Sequence, residues 1–321
     1  MALLLAGMPG SSAQANPESK RVWKIGILWH AGNLEEEAVM FGPFAQGMRE
    51  LGYIEGQNLV LEHTFVDENF ALFDSRAREL LDRKVDLILA SNGPGAAAAA
   101  KATRTVPIVF ATSGDPLKLN LIESFRRPGA NVTGMTLFAP ELTLKHLELL
   151  RELVPNLSRV AILSNPSNAE HSSTLDAAGQ AARDLNLEIV AVGAKAPEEF
   201  PAAFATIEKA QVGGLIVLVD SMLRVNRKSI IALAAQQRLP AVYATRDYVE
   251  SGGLMGYGAC VPCNFYQSAK YVDAILRGGK PADMPVQQPT RFITLVNLSA
   301  AKELGINLPP SVLLRADEVI E

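Results

Sequence analysis

The chain has 321 residues, 48% hydrophobic and 20% charged, with 30 Lys and Arg against 34 Asp and Glu for a formal net charge of −4. That length accommodates two domains of ordinary size, and the apolar content is that of a globular protein rather than a disordered one. The acidic balance argues against nucleic acid as a partner, and nothing in the chain reads as a membrane span.

The first eight residues are mostly apolar and are followed by Ser11-Ser12-Ala13-Gln14-Ala15. Small residues of this A-x-A type after a short apolar run read as the back half of a secretory signal cleaved after Ala15, which places the mature protein in the periplasm. The basic segment that opens such signals is missing, so the true start is expected upstream. The competing reading is an Ala-rich leader without an address. Residues 1–21 are thus expected to be a signal remnant and a flexible lead-in.

Beyond it the hydrophobic period alternates between that of strands and that of helices. The first half predicts strands over 23–30, 58–66, 85–90 and 106–112, with helices over 36–51, 70–83 and 94–103. A short helix near 117–126 and an extended segment over 131–138 follow. The second half predicts helices over 140–153, 168–185, 198–210 and 226–237, interleaved with strands over 159–164, 187–192, 213–219, 240–245 and 254–258. A helix over 264–277, a proline-punctuated connection over 281–289, a strand over 291–296, a short helix over 298–304 and a tail over 310–321 complete the chain. This alternation implies an α/β fold of doubly wound parallel sheets.

The strands repeat. Lys24-Ile25-Gly26-Ile27-Leu28 is echoed by Arg159-Val160-Ala161-Ile162-Leu163, Asp86-Leu87-Ile88-Leu89-Ala90 by Gly214-Leu215-Ile216-Val217-Leu218, and Pro107-Ile108-Val109-Phe110-Ala111-Thr112 by Pro240-Ala241-Val242-Tyr243-Ala244-Thr245. Order and spacing both recur, so the chain is expected to form two similar Rossmann-like lobes with a cleft between them. Such a cleft is a natural site for a small molecule.

Solutes meet an open α/β sheet at the carboxyl ends of its strands. Those ends carry His30, Ser91-Asn92-Gly93 and Thr112-Ser113-Gly114-Asp115 in the first half, and Asn165, Asn168, Asp220, Tyr243 and Thr245-Arg246 in the second. Short hydroxyls, amides and a few charges beside helix N-termini can hold a polar solute, although the same residues are ordinary caps and turn formers. Asp220 is expected to face the cleft and, where the solute has an ammonium group, to pair with it, because a shielded carboxylate is costly unless paired. On that reading Asp220→Asn weakens binding with little loss of fold. The alternative is that Asp220 caps a helix beginning near Asn226 or braces its loop with Arg224.

Enzymatic motifs are missing. No G-x-G-x-x-G follows the first strand, and neither a G-x-x-x-x-G-K-[ST] loop nor a G-x-S-x-G elbow occurs. The four histidines, His30, His63, His146 and His171, contain no H-x-x-x-H pair. No catalytic residue, cofactor or metal is therefore expected. Cys260-Val261-Pro262-Cys263 holds the only cysteines; the pair is open to an incidental structural role, a short disulfide in an oxidising compartment, or redox or metal chemistry.

Longer strings are more specific than periodicity. Phe44-Ala45-Gln46-Gly47-Met48-Arg49-Glu50-Leu51-Gly52-Tyr53, Gly114-Asp115-Pro116, Arg127-Pro128-Gly129-Ala130-Asn131-Val132-Thr133-Gly134 and Leu147-Glu148-Leu149-Leu150 come in order, followed by Gly252-Gly253-Leu254-Met255, Gly279-Lys280-Pro281-Ala282-Asp283-Met284-Pro285-Val286 and Arg315-Ala316-Asp317-Glu318-Val319-Ile320-Glu321. Together they resemble a bacterial family of ABC-transporter substrate-binding proteins that includes tryptophan-binding receptors. The chain departs from that family at Ala259-Cys260-Val261-Pro262-Cys263. The resemblance implies a type I periplasmic-binding-protein fold, with two lobes joined by three crossings near 134–139, 257–262 and 289–293 that close on the solute as a hinge. It divides the chain into one lobe of 22–135 plus 259–290 and another of 136–258 plus 291–321. It also implies that the loops carrying Ser91, Asn92, Thr112, Ser113, Asn165, Asp220 and Tyr243 bind the solute. The expected protein is a monomeric receptor that captures a small polar or aromatic solute, such as an amino acid or related carboxylate, and delivers it to an ABC permease. The other readings are a sensory or regulatory binding protein of the same fold and a small-molecule enzyme.

Overall fold

Short apolar runs that must be covered on both faces organise the chain into two parallel sheets. A computed structural model describes residues 21–137 and 139–321; the expected signal remnant lies outside the described residues, apart from Arg21. The first sheet is built from β1 (Trp23–Trp29), β2 (Leu59–Phe65), β3 (Leu87–Ala90), β4 (Ile108–Ser113) and β5 (Val132–Thr136), with α1 (Ala38–Glu50), α2 (Phe73–Asp82) and α3 (Gly93–Ala102) in the connections. The chain then enters α4 (Ala139–Leu153), β6 (Arg159–Ser164), α5 (Glu170–Asp184), β7 (Glu188–Gly193), α6 (Phe200–Lys209), β8 (Gly214–Val217), α7 (Ser221–Val225), α8 (Arg227–Gln236), β9 (Ala241–Tyr243), α9 (Arg246–Glu250) and β10 (Met255–Ala259). After these come α10 (Val261–Leu276), β11 (Phe292–Asn297), α11 (Leu298–Leu304), α12 (Pro310–Arg315) and β12 (Glu318–Ile320).

The duplication in the strands is a duplication of topology. The first sheet runs β2-β1-β3-β4-β5, and the second begins β7-β6-β8-β9-β10 before adding β11 and β12. Both five-strand units are parallel throughout, and only β11 enters antiparallel, against β10. Alternation along the strands sends side chains to opposite faces. Ile25, Ile27 and Trp29 pack with Phe44 and Met48 of α1 and Phe265, Ala269 and Val272 of α10. Leu28, Ile88 and Phe110 pack on the other face with Phe73, Ala77 and Leu80 of α2 and Ala96 and Ala99 of α3. The alanine run of α3 is thus a close-packed helix face. The second sheet repeats the arrangement: Val160, Ile162 and Ile216 lie against α4 and α5, while Ala161, Leu163 and Leu215 lie against α6 and α8.

The chain passes between the sheets three times, and the passages lie side by side. Thr136 N–H donates to the Gln287 carbonyl and Gln287 N–H to that of Gly134, so the first and third passages pair. Gly258 and Ala259 face Ile293 and Phe292 across the β10–β11 ladder, which joins the second passage to the third. Gly258 has no room for a side chain, since a Cβ there would stand 1.7 Å from the Ala244 carbonyl oxygen.

Three local expectations change. Residues 117–126 form turns rather than a helix, and the left-handed Asn120 (φ 53°) interrupts the backbone there. The helix expected over 226–237 is preceded by a separate turn, α7. The tail holds α12 and an edge strand, β12, parallel to β11.

Candidate functional site

The carboxyl ends of the two sheets face one another across a cleft of two adjoining pockets. Thr112 near the end of β4, Val217 to Ser221 at and beyond the end of β8, Leu137 and Ala244 border both. The inner pocket adds Ser113, Gly114, His146, Asn168, Glu170 and His171. The outer adds His30, Met40, Ser91, Arg224, Tyr248, Val261 and Phe265.

On the first-lobe wall, Thr112 Oγ1 donates to the Ser91 carbonyl at 2.8 Å. The Ser91 hydroxyl is buried and has no hydrogen-bond partner among the described residues. Asn92 accepts from Gly95 N–H at 2.9 Å and so caps α3 rather than lining the cleft. His30 lies between two carboxylates, with Nδ1 3.0 Å from Glu68 and Nε2 3.3 Å from Glu37. Burial is the largest single influence and pulls its pKa down, but Glu37 and Glu68 together outweigh it, so the ring is held above its ordinary value.

On the second-lobe wall, Asp220 is the hub. Its side chain is 0% exposed. It accepts from Leu223 N–H at 3.1 Å, from Asn165 Nδ2 at 3.3 Å to each oxygen, and from Asn168 Nδ2 at 3.1 Å. The carboxylate therefore both borders the cleft and caps a helix, and that helix is α7 rather than one starting near Asn226. Arg224 pairs with Asp247 at 3.2 Å instead of bracing Asp220.

Glu170 crosses the cleft. It opens α5, yet Ser113 Oγ donates to its Oε1 at 2.5 Å and Asp115 N–H does so at 3.0 Å. Burial raises its pKa, against the lowering effect of those bonds. Gly93 is required by this contact, since a Cβ there would lie 2.5 Å from Glu170 Oε1 and 2.8 Å from Ser113 Oγ. Asp115 contributes its backbone here, while its side chain accepts from Lys118 N–H in the following turn.

His30, Ser91, Thr112, Ser113, Asn168 and Asp220 therefore meet at the cleft, with Asn165 directly behind Asp220 and Gly93 against Glu170. Tyr243 and Arg246 do not. The Tyr243 ring stacks on Tyr248 at 4.6 Å inside the second lobe, where burial raises its pKa. Arg246 is turned outward to Glu250 and Glu318, at 2.6 and 2.7 Å.

Further cleft groups outside the strand-end motifs include Glu170, Arg224, Tyr248 and His146. His146 sits midway along α4, 2% exposed, with Nε2–H donating to the Tyr257 carbonyl at 2.6 Å. Burial lowers its pKa to about 4, and its Nδ1 has no hydrogen-bond partner among the described residues. Helical position gives no sequence signal for such a residue.

A family model described as ABC transporter substrate binding protein matches residues 35–320. A tyrosine-binding protein of Clostridioides difficile is 24% identical over 301 residues, covering 94% of this chain and 86% of that protein. Among solved structures, a conserved domain protein from Vibrio cholerae superposes with a TM-score of 0.88 at 28% identity, covering 93% of this chain and 100% of its own. An ABC domain from Streptococcus pneumonia in complex with L-Trp superposes with a TM-score of 0.86 at 24% identity over the same shares. The two-lobe architecture is that of type I periplasmic binding proteins.

Proposed function

This chain belongs to the family of ABC transporter substrate-binding proteins, and from that premise we propose that it is the solute receptor of an ABC importer, holding an amino acid or related small solute between its lobes. The observation that carries the reading is the cleft itself. Polar groups from both sheets converge on it, and Asp220, Ser91 and His146 are buried there beside an apolar flank of Met40, Val261 and Phe265. Polar anchors plus an apolar wall suit a small amphipathic molecule. The tyrosine named for one relative and the L-Trp bound by another have that character.

In this reading the receptor performs no chemistry on the solute. Its relatives are binding proteins rather than enzymes. Closure of the lobes about the three adjacent passages is the signal, and a permease reads the closed form. The protein acts as a periplasmic monomer. Isothermal titration against the amino acids and aromatic acids tests the proposal, with solution scattering at saturating solute. Tight binding of unaltered solute with a smaller radius of gyration supports it; turnover of the solute, or an unchanged radius, counts against it.

A further inference from the structure

Cys260 and Cys263 are joined by a disulfide at the start of α10. Only Val261 and Pro262 lie between them, and cross-linking so short a loop makes a weak staple. The pair stands in the segment where the chain departs from the family pattern, and the receptor reading leaves it unexplained. Metal binding does not account for it either: among the described residues no group of three or more His, Cys, Asp or Glu side chains could hold a metal ion.

Two features of its surroundings bear on reactivity. The first is access. Cys263 is exposed, and Cys260, half-buried, borders an open groove of about 560 Å³ lined by residues of α1, α9, β10 and β11. The second is the helix that follows. α10 runs for 16 residues, and Cys260 is its N-cap. The first N–H groups of a helix have no partner within it. In α10 no side chain caps them, and the first turn holds no acidic residue. A thiolate at the N-cap would supply both the acceptor and the negative charge that this helix start lacks. Breaking the disulfide is what puts one there.

We propose that Cys260–Cys263 is an exchange-active redox centre, through which the chain accepts one electron pair from a dithiol. A thiolate of the dithiol attacks the exposed Cys263 Sγ. The S–S bond breaks, and its electron pair leaves on Cys260 Sγ as a thiolate held at the start of α10. The second sulfur of the dithiol, having lost its proton to solvent, then attacks the first. Cys263 leaves as a thiolate and takes up a proton. The dithiol ends as a disulfide, and both electrons reside on the two cysteine sulfurs. Access selects the sulfur attacked, and thiolate stability selects the one that leaves. The inference is independent of the receptor reading.

The test uses the full chain, oxidised and folded, incubated with dithiothreitol and stopped by alkylation while circular dichroism follows the fold. The expected result is reduction in the folded state at least about tenfold faster than that of glutathione disulfide under the same conditions, because a stabilised thiolate is the better leaving group. With reduced glutathione as the attacking thiol, peptide mass spectrometry after alkylation should find glutathione on Cys263 and the alkyl group on Cys260. In Cys263→Ser, the remaining Cys260 should react with iodoacetamide at about pH 6 roughly fivefold faster than glutathione does. A bond that reacts no faster than glutathione disulfide, or only once urea has unfolded the chain, overturns the redox centre. Glutathione found mainly on Cys260, or a Cys260 thiol no more reactive than glutathione, overturns the assignment of Cys260 as the leaving thiolate.

Discussion

Glu170 belongs to the second lobe, yet its carboxylate is held by the first, through the Ser113 hydroxyl at 2.5 Å and the Asp115 N–H at 3.0 Å. The bond spans the cleft and ties the two lobes together. Glu170→Ala removes it, and the unliganded variant is expected to have a larger radius of gyration than the unaltered protein in solution scattering. Identical radii would show that this contact does not hold the lobes together.

Asp220→Asn is expected to damage the fold as well as binding, contrary to the expectation from sequence alone. The wholly buried carboxylate accepts from two asparagine amides and a helix N–H. An amide in its place turns one acceptor into a donor facing other donors. The loss of stability should be about 1–3 kcal/mol, typical for a buried group left unsatisfied. Chemical denaturation of the unliganded variant measures it, and an unchanged midpoint would refute the network's structural role.

His30 should make stability depend on pH. Glu37 and Glu68 hold its folded pKa above the ordinary 6.5 despite burial. A raised folded value means the folded state binds the proton more tightly, so the contribution is complete below about 6.5 and fades as pH rises through the folded pKa. His30→Gln lacks this contribution. The stability gap between the two proteins should therefore be wider at acidic pH and shrink as pH rises, and a gap independent of pH would exclude the linkage.

The Cys260–Cys263 disulfide joins the N-cap of α10 to its first turn. So short a loop removes little chain entropy, about 2 kcal/mol at most by loop-closure reasoning. Replacing both cysteines by alanine should lower the denaturation midpoint by no more than that and leave solute affinity within a few fold. A variant that fails to fold would show that the bond does more than restrain a loop.

Much of the fold was legible because its strands are buried on both faces and so read as uninterrupted apolar runs, twice over in the same order. What escaped depends on single backbone positions. The left-handed Asn120 turns residues 117–126 away from helix, and Asp220 starts α7 ahead of the helix expected there. Within the site, residues directly after strands could be placed at the cleft by topology alone. Tyr243 could not, because strand alternation sets it on the face of Ala241 and Leu215, toward α8 and α9, while Val242 joins the opposite core. Glu170 and His146 were missed for another reason. They reach the cleft from helices, through packing that brings α5 and α4 to its edge, and a glutamate in a first helical turn reads as an ordinary complement to the helix dipole.

The position of α10 bears on how the molecule is assembled. Phe265, Ala269 and Val272 complete a core that Ile25, Ile27 and Trp29 begin with Phe44 and Met48 of α1, so one face of the first sheet is only partly covered until the chain has been made well past β10. Closing so long a loop is slow. Neither half can therefore be prepared by cutting between the sheets: a fragment ending before Val261 would carry an open apolar face, and the natural unit of folding is the whole chain.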